Sequence, residues 1–451
     1  ERITHPDFEG YQIRLKSPSL CDPDVKQYSG YLDISDKKHL FFWFFESRSD
    51  PKKDPLVMWL NGGPGCSSST GLLFELGPCK VADEGESVKY NPHSWNNRAN
   101  MLFLDQPVQV GYSWSDGESV STTADAAKDV YAFMQLFYSR FEEYRNLDFN
   151  VAAESYGGHY APNIGSYINQ QNKELTSGVV RITKAPHYNV PLKSLLIGNG
   201  LTEPSTQFAA VPDFSCEPAD TAIFSNATCD KIRSKVSSCQ RLTKFCYDNP
   251  SRFSCIPADL YCWGNIAGPI QQVNVNPYDV RRSCDRSKDG DLCYKQMGWM
   301  ETYLNKPEVK KALGAHKSVE FESCNMQVNQ GFVFTGDRMH NSAAVIPQMI
   351  EDGIRVLVYA GDKDFMCNWI GNKNWVLGLN TTVQAQLNEG KDTPFIVNGT
   401  AAGEVRRGGR GAGQFTYLRV FNSGHMVPYD QPEAALEMFN RWLDNKSLGD
   451  E

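Results

Sequence analysis

Six short apolar runs, each closing on a polar or glycine-rich turn, constrain this chain more than any other feature. Residues 55–60 (PLVMWL) run into Asn61-Gly62-Gly63-Pro64-Gly65-Cys66, and 100–104 into Asp105-Gln106-Pro107. Residues 148–153 run into Glu154-Ser155-Tyr156-Gly157-Gly158, and 192–197 into Gly198-Asn199-Gly200. Residues 354–359 lead to Ala360-Gly361-Asp362-Lys363-Asp364-Phe365, and 415–421 to Asn422-Ser423-Gly424-His425. Near-continuous apolar runs of strand length fit strands buried on both faces. Between them, 122–138 and 159–170 place apolar residues at helical spacing, and 433–443 does so just after Pro432. Strand, helix and strand in alternation predict an α/β architecture, with a mostly parallel central sheet and helices over its faces. Before that rhythm starts, 27–33 and 39–47 read as antiparallel strands turned at Asp36-Lys37-Lys38.

The rhythm breaks after Leu201. From 202 to 338 the chain is cysteine-rich and irregular with short helical stretches, and it is expected to be an insertion, or cap, on a core made of 1–201 and 339–451. Seven of the 13 cysteines fall between 216 and 284, and Cys293 follows closely. No C-x-x-C occurs and no histidine sits by a cysteine pair at zinc-ligand spacing, so neither metal nor cofactor is expected. Structural disulfides in an oxidising compartment are the remaining reading. Sequons at Asn226, Asn380, Asn398 and Asn445 agree with a secretory route, and a first residue that is Glu reads as a processed mature form. The balance of 45 Lys+Arg against 53 Asp+Glu, formally −8, offers no basic stripe for nucleic acid. Arg406-Arg407-Gly408-Gly409-Arg410 reads as a mobile surface loop, and no window is apolar enough to span a membrane.

Ala153-Glu154-Ser155-Tyr156-Gly157 is a variant of the G-x-S-x-G turn, with small residues at both outer positions. Such a strand-to-helix turn presents a serine oxygen above the end of a sheet. Five residues alone leave open a serine that merely caps a helix. A nucleophilic serine needs a base and an acid to orient that base, and in an α/β-hydrolase fold they follow in the order Ser, Asp, His after later strands. Here the turn at 360–365 offers Asp362 and Asp364, between which these residues do not decide, and the turn at 422–428 offers His425. His5, His39, His93, His187, His316 and His340 read as ordinary surface or supporting residues, and His159 as structural. Gly62-Gly63-Pro64-Gly65 lacks the Lys of a phosphate loop and suits an oxyanion hole, with the Gly63 and Tyr156 amides as donors.

Longer strings give the chain a family likeness. Trp59-Leu-Asn-Gly-Gly-Pro-Gly-Cys-Ser67, Phe103-Leu-Asp-Gln-Pro-Val108, Glu154-Ser155-Tyr156, Ile197-Gly-Asn-Gly-Leu-Thr202, Tyr359-Ala-Gly-Asp-Lys-Asp-Phe365 and Gly424-His425-Met426-Val427-Pro428 resemble the serine carboxypeptidases, above all the fungal vacuolar members. The likeness runs from about Gln27 to Asn445. It implies Ser155 as nucleophile, His425 as base and Asp364 as orienting acid, with the oxyanion hole at Gly63 and Tyr156. It assigns Asn61, the Gly62 amide, Glu75 and Glu154 to the substrate's terminal carboxylate. Thr70, Phe74, Tyr278, Tyr294 and Met426 are implied to meet the side chain of the leaving residue. The implied bridges are Cys66–Cys324, Cys216–Cys229, Cys239–Cys262, Cys246–Cys255 and Cys284–Cys293, with Cys367 a free thiol sensitive to mercurials. Cys21 and Cys79 are left over, and parity invites a sixth bridge between them.

Paired carboxylates push one pKa upward, and a protonated Glu donates a hydrogen bond to a substrate carboxylate. His425 must at the same time be unprotonated to act as a base. Peptidase activity is therefore expected to be strongest in mild acid, on peptide and protein C-termini, with broad tolerance and a preference for hydrophobic residues. The resemblance also implies a monomer in a vacuolar lumen, or alternatively a secreted enzyme, that meets a pro-segment or a proteinaceous inhibitor. Esterase, acyltransferase or hydroxynitrile lyase chemistry on the same scaffold is the competing reading.

Overall fold

The apolar runs fold as strands because their side chains are buried on both faces, which leaves the ladder as the partner for every backbone amide. This computed structural model describes residues 2–4, 12–177, 187–217, 222–290 and 292–449, and His5 lies outside them. The chain divides into two compact units. The first comprises 1–153, 160–195 and 296–329, and the second 154–159, 196–295 and 330–451.

In the first unit Gln12–Lys16, Gln27–Asp33 and Lys38–Phe45 run antiparallel in sequence. Asn100–Leu104 lies antiparallel beside Lys38–Phe45, with Phe42 opposite Leu104. Leu56–Leu60 then runs parallel to Asn100–Leu104, and Phe149–Glu154 parallel to Leu56–Leu60, with Ala153 opposite Leu60. All three parallel strands are buried along their whole length. Helix Thr123–Arg140 is capped by Thr122, whose hydroxyl accepts from the Asp125 amide, and buries Ala126, Ala127, Val130, Phe133, Met134 and Phe137.

In the second unit Arg355–Gly361 and Phe415–Val420 are parallel, with Val356 opposite Phe415. Thr400–Gly408 and Thr393–Val397 continue this sheet antiparallel. Helix Pro432–Leu443 buries Ala434, Ala435, Met438, Phe439 and Trp442 on one face. A mixed, mostly parallel central sheet with helices over it is the α/β-hydrolase fold.

Two segments differ from the sequence reading. Arg406 and Arg407 lie in the Thr400–Gly408 strand, where Arg406 pairs with Asp392 at 2.9 Å and Arg407 donates to the Gly411 carbonyl at 2.7 Å. The 202–338 stretch is more regular than expected. It contains helix Asn226–Asp248, 23 residues long and capped by Ser225, followed by Arg252–Cys262 capped by Ser251. Cysteines form much of the core between these helices. Cys229, Cys239, Cys246, Cys255 and Cys262 are buried with Phe208, Phe224, Ile232, Met339 and Phe365.

Candidate active site

The turn between strand Phe149–Glu154 and helix Gly157–Thr176 puts Ser155 at φ +63°, a left-handed backbone that a non-glycine residue adopts only when its surroundings fix it. They do so through the main chain. The Ser155 amide donates to the Gly198 carbonyl (3.1 Å), and its own carbonyl accepts from the amides of Gly158 and Leu201, each at 2.9 Å. The helix must then start close to the 198–202 turn. A Cβ on Gly158 would lie 2.5 Å from Thr202 Oγ1 and 2.6 Å from the Leu201 carbonyl, so only glycine fits there. Tyr156, the next residue, has a buried ring stacked on His159 (centroids 4.6 Å apart), and its hydroxyl donates to Asp337 Oδ2 at 2.5 Å. His159 in turn donates from Nδ1 to the Leu201 carbonyl, and burial lowers its pKa.

Asp364 and His425 stand on the turns after Arg355–Gly361 and Phe415–Val420. Both side chains are buried, and His425 Nδ1 lies 2.7 Å from Asp364 Oδ2. The carboxylate is held from other sides by Asn199 Nδ2 (2.9 Å) and the Cys367 amide (3.1 Å) at Oδ2, and by the Met366 amide (3.0 Å) at Oδ1. Three donors besides the imidazole fix its orientation, as an acid that aims a base requires. Asp362, the other aspartate of that turn, pairs instead with Arg419 at 3.2 Å. In the sequence Asn199 stands only as one residue of a strand-end turn, Gly198-Asn199-Gly200. Its link to Asp364 and its Oδ1 bond from the Gly361 amide (3.0 Å) emerge only from the fold.

Within the first unit, Asn61 ends strand Leu56–Leu60. Its Oδ1 accepts from Trp59 Nε1 (2.7 Å) and the Gly71 amide (2.8 Å), which turns its Nδ2 to Glu75 Oε1 at 3.2 Å. Both side chains are buried. Gly62 is buried and accepts from the Cys66 amide at 3.0 Å, whereas Gly63 is exposed at φ +109°, and a Cβ there would come within 2.8 Å of the Gly65 and Cys66 amides. Thr70 and Phe74 are buried in the same unit, Phe74 within the turn Gly71–Glu75. In the second unit Glu154, Tyr294 and Met426 are buried, and the half-buried Tyr278 ring meets His425 edge-on, centroids 5.2 Å apart.

Six disulfides are formed: Cys21–Cys79, Cys66–Cys324, Cys216–Cys229, Cys239–Cys262, Cys246–Cys255 and Cys284–Cys293. Cys367 is free and buried, and burial, with the Asp364 and Glu154 charges, pushes its thiol well above the ordinary range. Among the described residues two groups could offer three metal-ligand atoms, Cys246/Cys255/His340 and Asp364/Cys367/His425. The first has both sulfurs in a disulfide, and in the second Nδ1 already faces Asp364. Of the other histidines, His39 lies against Asp33 (2.6 Å) and stacks with His316 on Trp114. Asn226, Asn380, Asn398 and Asn445 are all exposed.

The sequence profile of the serine carboxypeptidases matches residues 18–445. Carboxypeptidase Y homolog A of Talaromyces stipitatus is 46% identical over 456 residues, covering 98% of this chain and 78% of the relative. Carboxypeptidase Y of Candida albicans is 46% identical over 445 residues, with the same coverage of each. A solved structure, a prohormone-processing carboxypeptidase from Saccharomyces cerevisiae, Kex1Δp, superposes with a TM-score of 0.81 at 22% identity, covering 98% of this chain and 97% of that one, a likeness of fold. The protein is therefore a serine hydrolase of the α/β-hydrolase fold. More narrowly, the chain belongs to the serine carboxypeptidase family, whose activity removes residues from peptide and protein C-termini through an acyl-enzyme. No helix among the described residues is long and apolar enough to cross a membrane.

Proposed function

We propose that this enzyme releases C-terminal residues with broad tolerance and a preference for bulky hydrophobic ones, and works best in mild acid. Ser155 Oγ attacks the terminal peptide carbonyl while His425 Nε2 takes its proton, and Asp364 holds Nδ1–H and steadies the imidazolium. The amides of Gly63 and Tyr156 receive the oxyanion. His425 then protonates the departing amino group as the C–N bond breaks, and water attacking with its proton passed to His425 frees Ser155. The buried 2.7 Å contact of His425 with Asp364 is the observation that carries this assignment, together with the constrained turn at Ser155.

Asn61, the Gly62 amide, Glu75 and Glu154 are assigned to the substrate carboxylate, the two glutamates acting as donors when protonated, which is the source of the acid preference. Thr70, Phe74, Tyr278, Tyr294 and Met426 are assigned to the departing side chain. None is a buried acid that would select Lys or Arg. The 202–338 segment is assigned as a cap inserted in the hydrolase core. Six disulfides and four exposed sequons favour an oxidising route, ending in an acidic vacuole or outside the cell.

The deciding assay is release of Leu from N-blocked Phe-Leu at about pH 5.5, beside its C-terminal amide, an organophosphate and EDTA. Release that is blocked by the organophosphate, indifferent to EDTA and much faster for the free acid supports the proposal. Cleavage of esters without peptide release would overturn it.

A further inference from the structure

The turn that carries His425 is fastened to its neighbour by four charged side chains. The side chains of Asp279 and Asp430 are buried, whereas those of Arg281 and Arg282 are 35% and 44% exposed. Arg281 grips Asp279 through two bonds of 2.8 Å, from Nε to Oδ1 and from Nη2 to Oδ2, and its Nη2 also reaches Asp430 Oδ2 at 3.2 Å. Arg282 repeats the bridge, with Nε 2.9 Å from Asp279 Oδ2 and Nη2 3.1 Å from Asp430 Oδ1. Two carboxylates against two guanidiniums leave the cluster neutral, which is how buried acids of this kind are tolerated.

The cluster is bonded directly to the backbone around the imidazole. Asp430 Oδ2 accepts from the Gly424 amide at 2.7 Å, Arg281 Nη1 donates to the Asn422 carbonyl at 2.7 Å, and the His425 amide donates to the Tyr278 carbonyl at 2.7 Å. A Cβ on Gly424 would lie 2.4 Å from the Tyr278 carbonyl and 2.9 Å from Asp279 Cβ, so nothing separates the two segments. The same charges border the residues assigned to the side-chain pocket. Arg282 lies over the rings of Tyr294 (5.9 Å) and Tyr429 (5.6 Å), and Tyr278 immediately precedes Asp279.

We infer that Asp279, Arg281, Arg282 and Asp430 are positioning residues that set the His425 imidazole and the Tyr278 ring against each other, and so couple turnover to discrimination of the C-terminal side chain. The inference rests on the proposed roles of His425 and Tyr278. A base displaced by about 1 Å loses about 100-fold in rate, so small relaxations of this clamp are visible in kcat.

The test compares Asp430→Ala, Asp430→Asn and Arg281→Ala with the unaltered enzyme on N-blocked Phe-Leu and Phe-Ala, with rates expressed per folded molecule. Asp430→Ala is expected to lower kcat about tenfold or more and to shrink the Leu-over-Ala ratio of kcat/KM, with Asp430→Asn, which keeps an acceptor for the Gly424 amide, recovering part of both. A purely structural role would lower the melting temperature and leave kcat and the ratio unchanged, and that result overturns the inference. Should Asp430→Ala fail to fold, Arg281→Ala, at a partly exposed position, decides: unchanged kcat and ratio overturn the inference, and a joint fall supports it. If the unaltered enzyme itself shows no Leu preference, the pocket assignment fails, while the effect of these variants on kcat still tests the clamp on His425.

Discussion

The paired helices of 226–262 and the turns that carry Ser155, Asp364 and His425 are fastened in opposite ways. Between the helices the links are covalent: Cys239–Cys262 and Cys246–Cys255 join the two, and Cys216–Cys229 ties the longer one to the preceding segment. Their outer surface is wet or apolar without apparent discipline, with Phe245, Phe253 and Leu260 exposed. The bridges add covalent links to a core that these helices share with Phe208, Met339 and Phe365. The three turns contain no bridge. Amide hydrogen bonds, glycine close approaches and charge pairs hold them, and each bond fixes the direction of one group. Covalent links give persistence, and directional bonds give aim. Stability and aim should therefore be separable by mutation, even though Phe365, next to Asp364, packs edge-on to Phe224 in the helical core (5.9 Å).

The largest separation is expected at Ser155. Ser155→Ala should lower kcat by about 10⁶-fold, while denaturant unfolding shifts by less than about 1 kcal/mol, since the turn is held by its main chain. Asp364→Asn comes next, with a fall of about 10⁴-fold in kcat because the imidazole loses its orienting carboxylate. A drop of the same size in binding of a C-terminal product analogue would show that aim and affinity are not separable there. In the helical pair the signature reverses. Replacing Cys239 and Cys262 by Ala should destabilise by about 3.4 kcal/mol, and Cys246 with Cys255 by about 2.6 kcal/mol, from loops of 23 and 9 residues. Both should leave kcat of the folded enzyme near its original value. Loss of kcat in step with stability would mean that Phe365 transmits the damage and the contrast fails.

A pH-dependent effect of comparable size sharpens the contrast from the first unit. Asp105, after strand Asn100–Leu104, accepts from the Ser67 hydroxyl and from the amides of Ser68 and Tyr112, yet burial pushes its carboxyl from 3.8 up to about 6. A folded value above the unfolded one contributes stability that is complete below about pH 3.8 and lost as pH rises through about 6. A rise from 3.8 to about 6 corresponds to about 3 kcal/mol. Urea midpoints taken between about pH 4 and pH 7 should therefore change less in Asp105→Asn than in the unaltered protein, and identical slopes would refute the assignment. The smallest effect is expected for Tyr156→Phe, which deletes the hydroxyl bonded to Asp337. It should lose about 1–3 kcal/mol of stability and less than about tenfold in kcat, because the stack on His159 remains.

Much of the fold and of the candidate site was legible wherever one local pattern sufficed. Buried strands announced themselves as unbroken apolar runs, and the turns after three of them carry Ser155, Asp364 and His425, the residues the sequence singles out. The long helix Asn226–Asp248 was hidden because Cys229, Ile232, Cys239 and Cys246 mark its buried face, and cysteines counted as bridge partners do not register as an apolar stripe. Arg406 reads as part of a mobile loop because Gly408 and Gly409 follow it closely, while its fixing partner Asp392 stands across a strand pair. Asn199, Asp337 and Asp430 were silent for a related reason. An isolated polar residue acquires its role only from a partner distant in sequence, and no periodicity points to that partner.

The bridge between Cys66 and Cys324 spans 258 residues, against 9 to 23 for those of the helical pair. During synthesis the short bridges can close soon after their second cysteine emerges. Cys66 must wait on the order of tens of seconds for its mate at ordinary elongation rates. Throughout that interval it is a reactive thiol in a chain producing one new cysteine after another. The longer a thiol waits, the more partners it meets, so a setting in which early mispairings can be exchanged would favour the Cys66–Cys324 bridge more than the short ones.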